Sequence, residues 1–290
     1  MALPLFLKPV TAVVDVGIQF FRQRLVNLIS RKNNLRLATY PVAIKYIKDE
    51  SEIPDDFIQP SKIGESWALC QAITYARRNQ TCSVMTKEDN FCVPSSWGQG
   101  WLKLPWEEFV QSQILNQWHK DYESEIRCQM ASGADWASEE NLKRVAEHCG
   151  FLVAPLTSAP FIPDSILLYC NPGQATHIIH ALSYEGNHVV TSSFTGFGES
   201  CIKGALKPFL TGTPEVILPG TGDQVVSGTH AHEMAVAVPG QLLFTIKKNI
   251  FQTGGEKNIG YPLQAPRTKI DNSFLPGWVY LKEKMEESAS

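Results

Sequence analysis

The stretch FLVAPLTSAPFIPDSILLYCNPGQATHIIHALSY, residues 151–184, decides the fold class. Its two apolar runs, Phe151 to Leu156 and Ile166 to Tyr169, have the length and the turn-rich flanks of buried strands. Apolar residues then recur at helical spacing from Gly173 to Tyr184. A helix is predicted over residues 105–130, before this stretch, and a strand over 188–193, after it. This alternation of strand and helix patterns favours an α/β fold built on a mixed sheet with helices on both faces.

Upstream of this stretch, Tyr40 to Ile47 is predicted as a strand that starts at a proline. Residues 9–30 place apolar side chains along one stripe between charged residues, which predicts an amphipathic helix. That helix packs on its own domain, or it docks on a partner subunit or a membrane surface. We therefore expect an N-terminal helical extension (1–39), an α/β domain (40–265) and an irregular C-terminal tail (266–290).

Charge and cysteine content exclude several classes of protein. A net charge of −3 does not favour nucleic-acid binding, and no uninterrupted apolar run approaches the roughly 20 residues of a transmembrane helix. The seven cysteines are odd in number and widely spaced, unlike those of a secreted disulfide scaffold. The composition therefore predicts a cytoplasmic protein with reduced thiols and no transmembrane segment.

Common catalytic motifs for nucleotides, serine hydrolysis and zinc are absent, but a family resemblance is present. The segments that carry it are YPVAIK (40–45), ALCQA (68–72), TKEDNFC (86–92), CNPGQ (170–174), TSSFTGFGESC (191–201), LPGTGD (218–223) and HEMA (232–235). In this order, over roughly residues 40–265, they resemble the DUF169 family of prokaryotic proteins of unknown function. The resemblance implies no reaction, but it implies that Cys70, Cys92 and Cys201 are typical positions of the pattern.

Three cysteines on three separate segments are candidate ligands of one metal centre. Thiolates are preferred ligands of zinc and of iron–sulfur clusters. A four-iron cubane held by Cys70, Cys92 and Cys201 would leave one iron open to act as a Lewis acid. Alternatively Cys82 or a histidine fills the fourth position, the cysteines only pack in the core, or Cys201 alone is a nucleophile.

The glycine-rich turn before Cys201 is a candidate substrate-binding element. Gly196 and Gly198 permit tight turns and close approach of a ligand. The N-terminus of the helix that follows is expected to lower the pKa of the Cys201 thiol and so favour its thiolate.

Two pairs of charged residues are candidates for substrate binding and proton transfer. Arg77 and Arg78 are suited to hold a substrate carboxylate or phosphate, although their place at a helix end also suits dipole compensation. Glu88 and Asp89 are suited to act as a general acid or base, or to cap a turn.

The sequence thus predicts an iron–sulfur enzyme of lyase, hydratase or desulfurase type that acts on a small polar substrate. The alternative is a cluster-free metabolite- or sulfur-binding protein with a reactive cysteine. A third hypothesis is a docking protein, or a homo-oligomer, that associates through the N-terminal helix. His230 and His232 form a second candidate metal pair without further predicted ligands.

Overall fold

The fold, seen in a computed structural model, is described for residues 35–103, 106–115, 120–133, 139–185, 189–194, 196, 198–253 and 276–288. Six strands form one sheet: β1 Val42–Ile47, β2 Ser83–Thr86, β3 Gly150–Pro155, β4 Ser165–Cys170, β5 Glu215–Ile217 and β6 Met234–Pro239. Their order is β2-β3-β1-β4-β6-β5, and each neighbouring pair is antiparallel. Parallel pairing occurs at two isolated bridges, Ile58 with Ser83 and Trp67 with Asn90.

Ten α-helices and one π-helix accompany the sheet within these residue ranges. The helices before the π-helix are α1 Leu69–Asn79, α2 Val93–Gly98, α3 Trp106–Leu115, α4 Tyr122–Gly133, α5 Glu139–Ala146 and α6 Pro172–Ser183. The π-helix spans Glu199–Leu206, and after it come α7 Lys207–Thr211, α8 Thr221–Ser227, α9 Leu243–Asn249 and α10 Pro276–Ser288. Short 3₁₀-helices lie at Glu50–Glu52, Pro60–Ile63 and Gly240–Leu242.

Both faces of the sheet are covered by helices, as the sequence predicted, so the α/β class is confirmed. Successive side chains of a strand point to opposite faces. In β1, Ala43 and Ile47 join a core with α6 and α9, whereas Val42, Ile44 and Tyr46 join a core with α1, α7 and the π-helix. We call these sides the α6 face and the α1 face.

Burial on both faces explains why the decisive stretch contains unbroken apolar runs rather than alternating ones. Every residue of β3 and β4 is buried, so both alternating sets of side chains must be compatible with a core. The predicted bounds of these strands agree with the observed ones to within one residue.

Other predicted elements differ from the observed ones. Residues 188–193 were predicted as a strand, but 189–194 contain none, and Val216 N–H donates to the Ser192 hydroxyl (2.6 Å) rather than to a neighbouring strand. The single helix predicted over 105–130 is two helices, α3 and α4. The tail predicted to be irregular contains α10, which belongs to a second unit of the chain.

The predicted N-terminal amphipathic helix, residues 9–30, lies outside the described residues. Its proposed packing, docking and oligomer roles therefore stay predictions. Among the helices that the structure describes, none combines the length and the apolar character needed to cross a membrane.

Candidate functional site

A small cavity lies on the α1 face, where α1, α2, α8 and the π-helix begin. Its volume is about 70 Å³. The residues that line it are Ala68, Leu69, Cys70, Cys92, Pro94, Ser95, Gly196, Gly198, Glu199, Cys201, Gly220, Gly222 and Asp223. The fold thus brings Cys70, Cys92 and Cys201 to one cavity, together with both glycines that the sequence singled out.

Cys70 lies in the first turn of α1, the helix that covers the middle of the sheet. The helix begins where the Gln71 side chain accepts a hydrogen bond from Ala68 N–H (2.8 Å), which is half of a capping box. Leu69 and Ile73 of the same helix are fully buried against the sheet. Packing of α1 therefore fixes the height of Cys70 above the strands.

Cys92 is the residue before α2, and the Asn90 side chain forms hydrogen bonds with both its backbone N–H and its backbone carbonyl. The Asn90 side chain accepts from Cys92 N–H (3.3 Å) and donates to the Cys92 carbonyl (3.1 Å) and to the Ser96 hydroxyl (2.8 Å). Pro94 then sets the first turn of α2. Asn90 therefore positions Cys92, a role that sequence patterns alone did not indicate.

Cys201 lies in the first turn of the π-helix, after a tight glycine turn. Gly198 has φ +61°, and a side chain there would meet Ile202 at 2.9 Å. Gly220 approaches the loop so closely that an added Cβ would lie 2.5 Å from the Gly196 carbonyl oxygen. The two glycine-containing loops are therefore packed backbone to backbone along the cavity wall.

Burial raises the pKa of all three cavity thiols. For Cys201, loss of water contacts is the largest cause, and the negative charges expected at Cys92 and Asp223 add to it. The same cause acts on Cys70 and Cys92. The expectation that the helix N-terminus lowers the pKa of Cys201 is wrong for the protein without ligand, because desolvation outweighs the helix dipole. A bound metal would have to displace these protons.

Asp223 is a titratable residue of the cavity lining that the sequence did not single out. Its side chain is 7% exposed, and burial raises its pKa to about 6, although Ser200 and Gly220 donate hydrogen bonds to it. The Asp223 side chain accepts a hydrogen bond from Gly220 N–H (2.9 Å) at the start of α8. The segment PGTGD does not indicate this role by sequence alone. Tyr169 extends the polar network by a contact of 3.0 Å with the Ser200 hydroxyl.

We expect Asp223→Asn to stabilise the metal-free protein near neutral pH. Because the folded pKa is raised from 3.8 to about 6, the folded state binds this proton more tightly than the unfolded state does. Wild-type stability should fall relative to the variant as pH rises from about 4 to 6, by about 3 kcal/mol in total. Asparagine keeps an acceptor for Gly220 N–H. Urea unfolding of both proteins at pH 4 and pH 7 measures the effect, and parallel pH curves would contradict it.

The predicted substrate-binding arginines lie outside the cavity lining. Arg77, whose side chain is fully buried, donates to both oxygens of Glu233, and its guanidinium lies 4.0 Å from the centre of the Tyr169 ring. Arg78 bonds the same carboxylate (3.2 Å) and the Gly228 carbonyl (3.1 Å). Both guanidinium groups thus have an anionic protein partner.

The predicted acid–base pair also lies outside the cavity lining. Asp89 is fully buried and accepts from Ser61 N–H (2.8 Å) and from the Thr86 backbone and hydroxyl (2.9 and 2.6 Å). Glu88 is exposed and accepts from the same hydroxyl (3.2 Å). These contacts stabilise the loop after β2, and neither residue lines the cavity.

Among the residues that the structure describes, no other cysteine and no histidine lines the cavity. Cys82 and Cys149 pack against the core of the α6 face, on the opposite side of the sheet from Cys201. His230 and His232 are exposed and stack on one another, with ring centres 5.4 Å apart.

The cavity gathers three cysteines, but the described side chains do not form a site for a single metal ion. In the described part of the chain, no three His, Cys, Asp or Glu side chains are arranged to hold one metal ion. A cubane takes each cysteine on a different iron, so its thiols stand farther apart than the ligands of one ion. The three cysteines that line the cavity match that requirement in number and type.

Comparison with known proteins gives a family match. The model of DUF169, described as "Uncharacterised ArCR", matches residues 32–249. An uncharacterized protein of Methanocaldococcus jannaschii, MJ0308, is 23% identical over 209 residues, which covers 72% of this chain and 85% of that protein. No solved structure matches the chain.

Proposed function

This chain belongs to the DUF169 family, and we propose that it is an iron–sulfur enzyme whose [4Fe–4S] cluster is held by Cys70, Cys92 and Cys201. The observation that carries the proposal is the shared cavity, to which three segments distant in sequence each contribute one thiol. Cysteine thiolates are the usual protein ligands of such clusters.

An incompletely ligated cluster suits chemistry on a small polar substrate. With three cysteines, one iron lacks a thiolate and can polarise a hydroxyl, carboxylate or thio group as a Lewis acid. Lyases, hydratases and desulfurases use that kind of activation.

Backbone groups of the chain suit an anionic ligand at this position. The first turns of α1 and of the π-helix contain Cys70 and Cys201, and helix N-termini favour negative charge. Gly196, Gly198 and Gly220 keep side chains away from the same wall. These features support the binding of a cluster whose three thiolates bring negative charge.

None of the seven cysteines forms a disulfide, which supports our expectation that the protein works in a reducing compartment such as the cytoplasm. The competing hypothesis of a cluster-free protein with a reactive cysteine is less well supported. A raised thiol pKa lowers the thiolate fraction at neutral pH, and the thiolate is the reactive form.

The proposal is tested by purifying the full chain without oxygen and reconstituting it with iron and sulfide. We expect about four irons and four sulfides per chain, with a broad absorption band at roughly 400 nm. In the loaded protein, Cys70, Cys92 and Cys201 should resist alkylation, whereas Cys82 should react equally with and without the cluster. A protein that stays colourless after reconstitution, with one rapidly alkylated thiol, would instead support the reactive-cysteine hypothesis.

A further inference from the structure

Two carboxylates line the cavity beside the thiols, and their partners differ. Glu199 accepts from Gly196 N–H (3.0 Å) and pairs with the Lys203 ammonium (3.2 Å), so a cation balances its charge. Asp223 is equally enclosed, but its hydrogen-bond donors are Gly220 N–H and the Ser200 hydroxyl and backbone, which are all neutral. No ion pair within the described ranges includes Asp223.

A buried carboxylate with neutral donors only is an unusual feature of a protein interior. Ionised carboxylates are costly to bury unless they are paired with a cation or coordinate a metal. Asp223 lines the same small cavity as the three cysteines that are candidate metal ligands. It lies on a fourth segment of the chain, in the first turn of α8. An iron that has no cysteine in this cavity would accept the carboxylate as a ligand.

We propose that Asp223 is the fourth protein ligand of the cluster, bound through its carboxylate to the iron that has no cysteine. This inference rests on the proposed function. Oxygen ligands are harder than thiolates and bind iron–sulfur irons less firmly, so a substrate can displace this ligand where it could not displace a cysteine. The hydrogen bonds from Ser200 and Gly220 hold the released carboxylate in the cavity wall.

With this ligand, the fourth iron is protected from loss when no substrate is bound. A substrate can then displace the carboxylate and bind the iron in its place. A fourth cysteine would close the centre permanently, whereas no fourth ligand would leave the iron open to loss. The protein therefore should keep the fourth iron better than a cluster with three ligands does, and less well than one with four thiolates.

The test measures loss of that iron from the reconstituted full chain. One equivalent of ferricyanide removes one electron from the [4Fe–4S]²⁺ cluster, and the oxidised cluster then releases Fe²⁺ and leaves [3Fe–4S]⁺. Released iron is trapped by a chelator, and the three-iron product is followed by electron paramagnetic resonance. We expect about tenfold faster loss in Asp223→Asn, in line with the effect of losing a metal-site partner. Asp223→Cys should lose iron more slowly than wild type.

The control is Glu88→Gln, which removes an exposed carboxylate outside the cavity lining and should lose iron at the wild-type rate. Asp223→Asn keeps the acceptor for Gly220 N–H, so a folded variant is expected, and circular dichroism checks this. Equal rates in wild type and Asp223→Asn, with both clusters intact at the start, would overturn the Asp223 assignment alone. Wild-type protein that takes up no iron or sulfide would overturn the cluster itself.

Discussion

Replacing Glu233 with glutamine is expected to lower the free energy of unfolding by about 3–5 kcal/mol. The variant leaves the Arg77 guanidinium, which is fully buried, without an anionic partner. Breaking a buried pair from one side costs far more than the pair contributes, because the remaining charge is neither solvated nor paired. Glutamine keeps nearly the same volume, so the loss reports on charge rather than on packing.

Urea unfolding of Glu233→Gln at neutral pH measures the effect, with Glu147→Gln as the matched control. Glu147 pairs with Lys48 at 2.8 Å, but both side chains are more than half exposed, so its loss should cost far less than the loss of Glu233. A Glu233→Gln cost no larger than that of the control would show that Arg77 finds another partner or water.

The pair should also make the protein sensitive to acid. Burial alone would raise the pKa of Glu233, but hydrogen bonds from Arg77 and His230 N–H, and the charges of Arg77 and Arg78, lower it to about 2. A lowered carboxyl pKa adds stability that is fully present above the unfolded value of about 4.5 and is lost as pH falls toward 2. Wild type should lose stability over this range, and Glu233→Gln should lose less.

Arg77 also shows why substrate-binding groups are hard to assign from sequence. Two adjacent arginines at a helix end suit an anionic ligand, and the anion that they meet in the fold is Glu233, 156 residues later. No local pattern could indicate this pairing, because it depends on the start of β6 lying beside the end of α1. The pair joins that strand to the helix whose other end presents Cys70.

The fold was predictable where the local pattern and the tertiary environment agree. Strands β3, β4 and β6 are short apolar runs that are buried on both faces, so composition and burial give the same answer. The order of strands and their antiparallel pairing were not predictable, because α/β alternation favours a parallel or mixed sheet. Residues 188–193 were predicted as a strand, yet in 189–194 the Ser192 hydroxyl accepts a hydrogen bond from Val216 N–H and no strand forms.

The cavity was predictable in part. Cysteine is a chemically distinctive residue, so Cys70, Cys92 and Cys201 could be singled out before their positions were known. Asp223 and Asn90 are ordinary helix-start and turn residues in sequence, and their places at the cavity and at Cys92 arise only from loop packing. Glu88 and Asp89 were predicted as a general acid or base. They lie close to Cys92 in sequence, but the turn after β2 places them outside the cavity lining.

Single Cys→Ser substitutions at Cys70, Cys92 and Cys201 are expected to lower cluster occupancy by at least about tenfold each. Loss of groups that only orient a metal ligand already costs about 10–100-fold in affinity, so loss of a ligand should cost no less. Serine matches the size of cysteine, and its hydroxyl is a harder, weaker ligand for these irons. Iron and sulfide content after reconstitution under identical conditions measures the occupancy.

Cys82→Ser and Cys149→Ser are the matched controls, since both thiols are half-buried and pack on the α6 face of the sheet. They should retain wild-type iron and sulfide. If the cavity holds a cluster, the three cavity variants should fall together, because each cysteine binds a different iron and none can replace another. Loss in one variant alone would indicate a single functional thiol, and equal loss in cavity and control variants would indicate iron bound without a defined site.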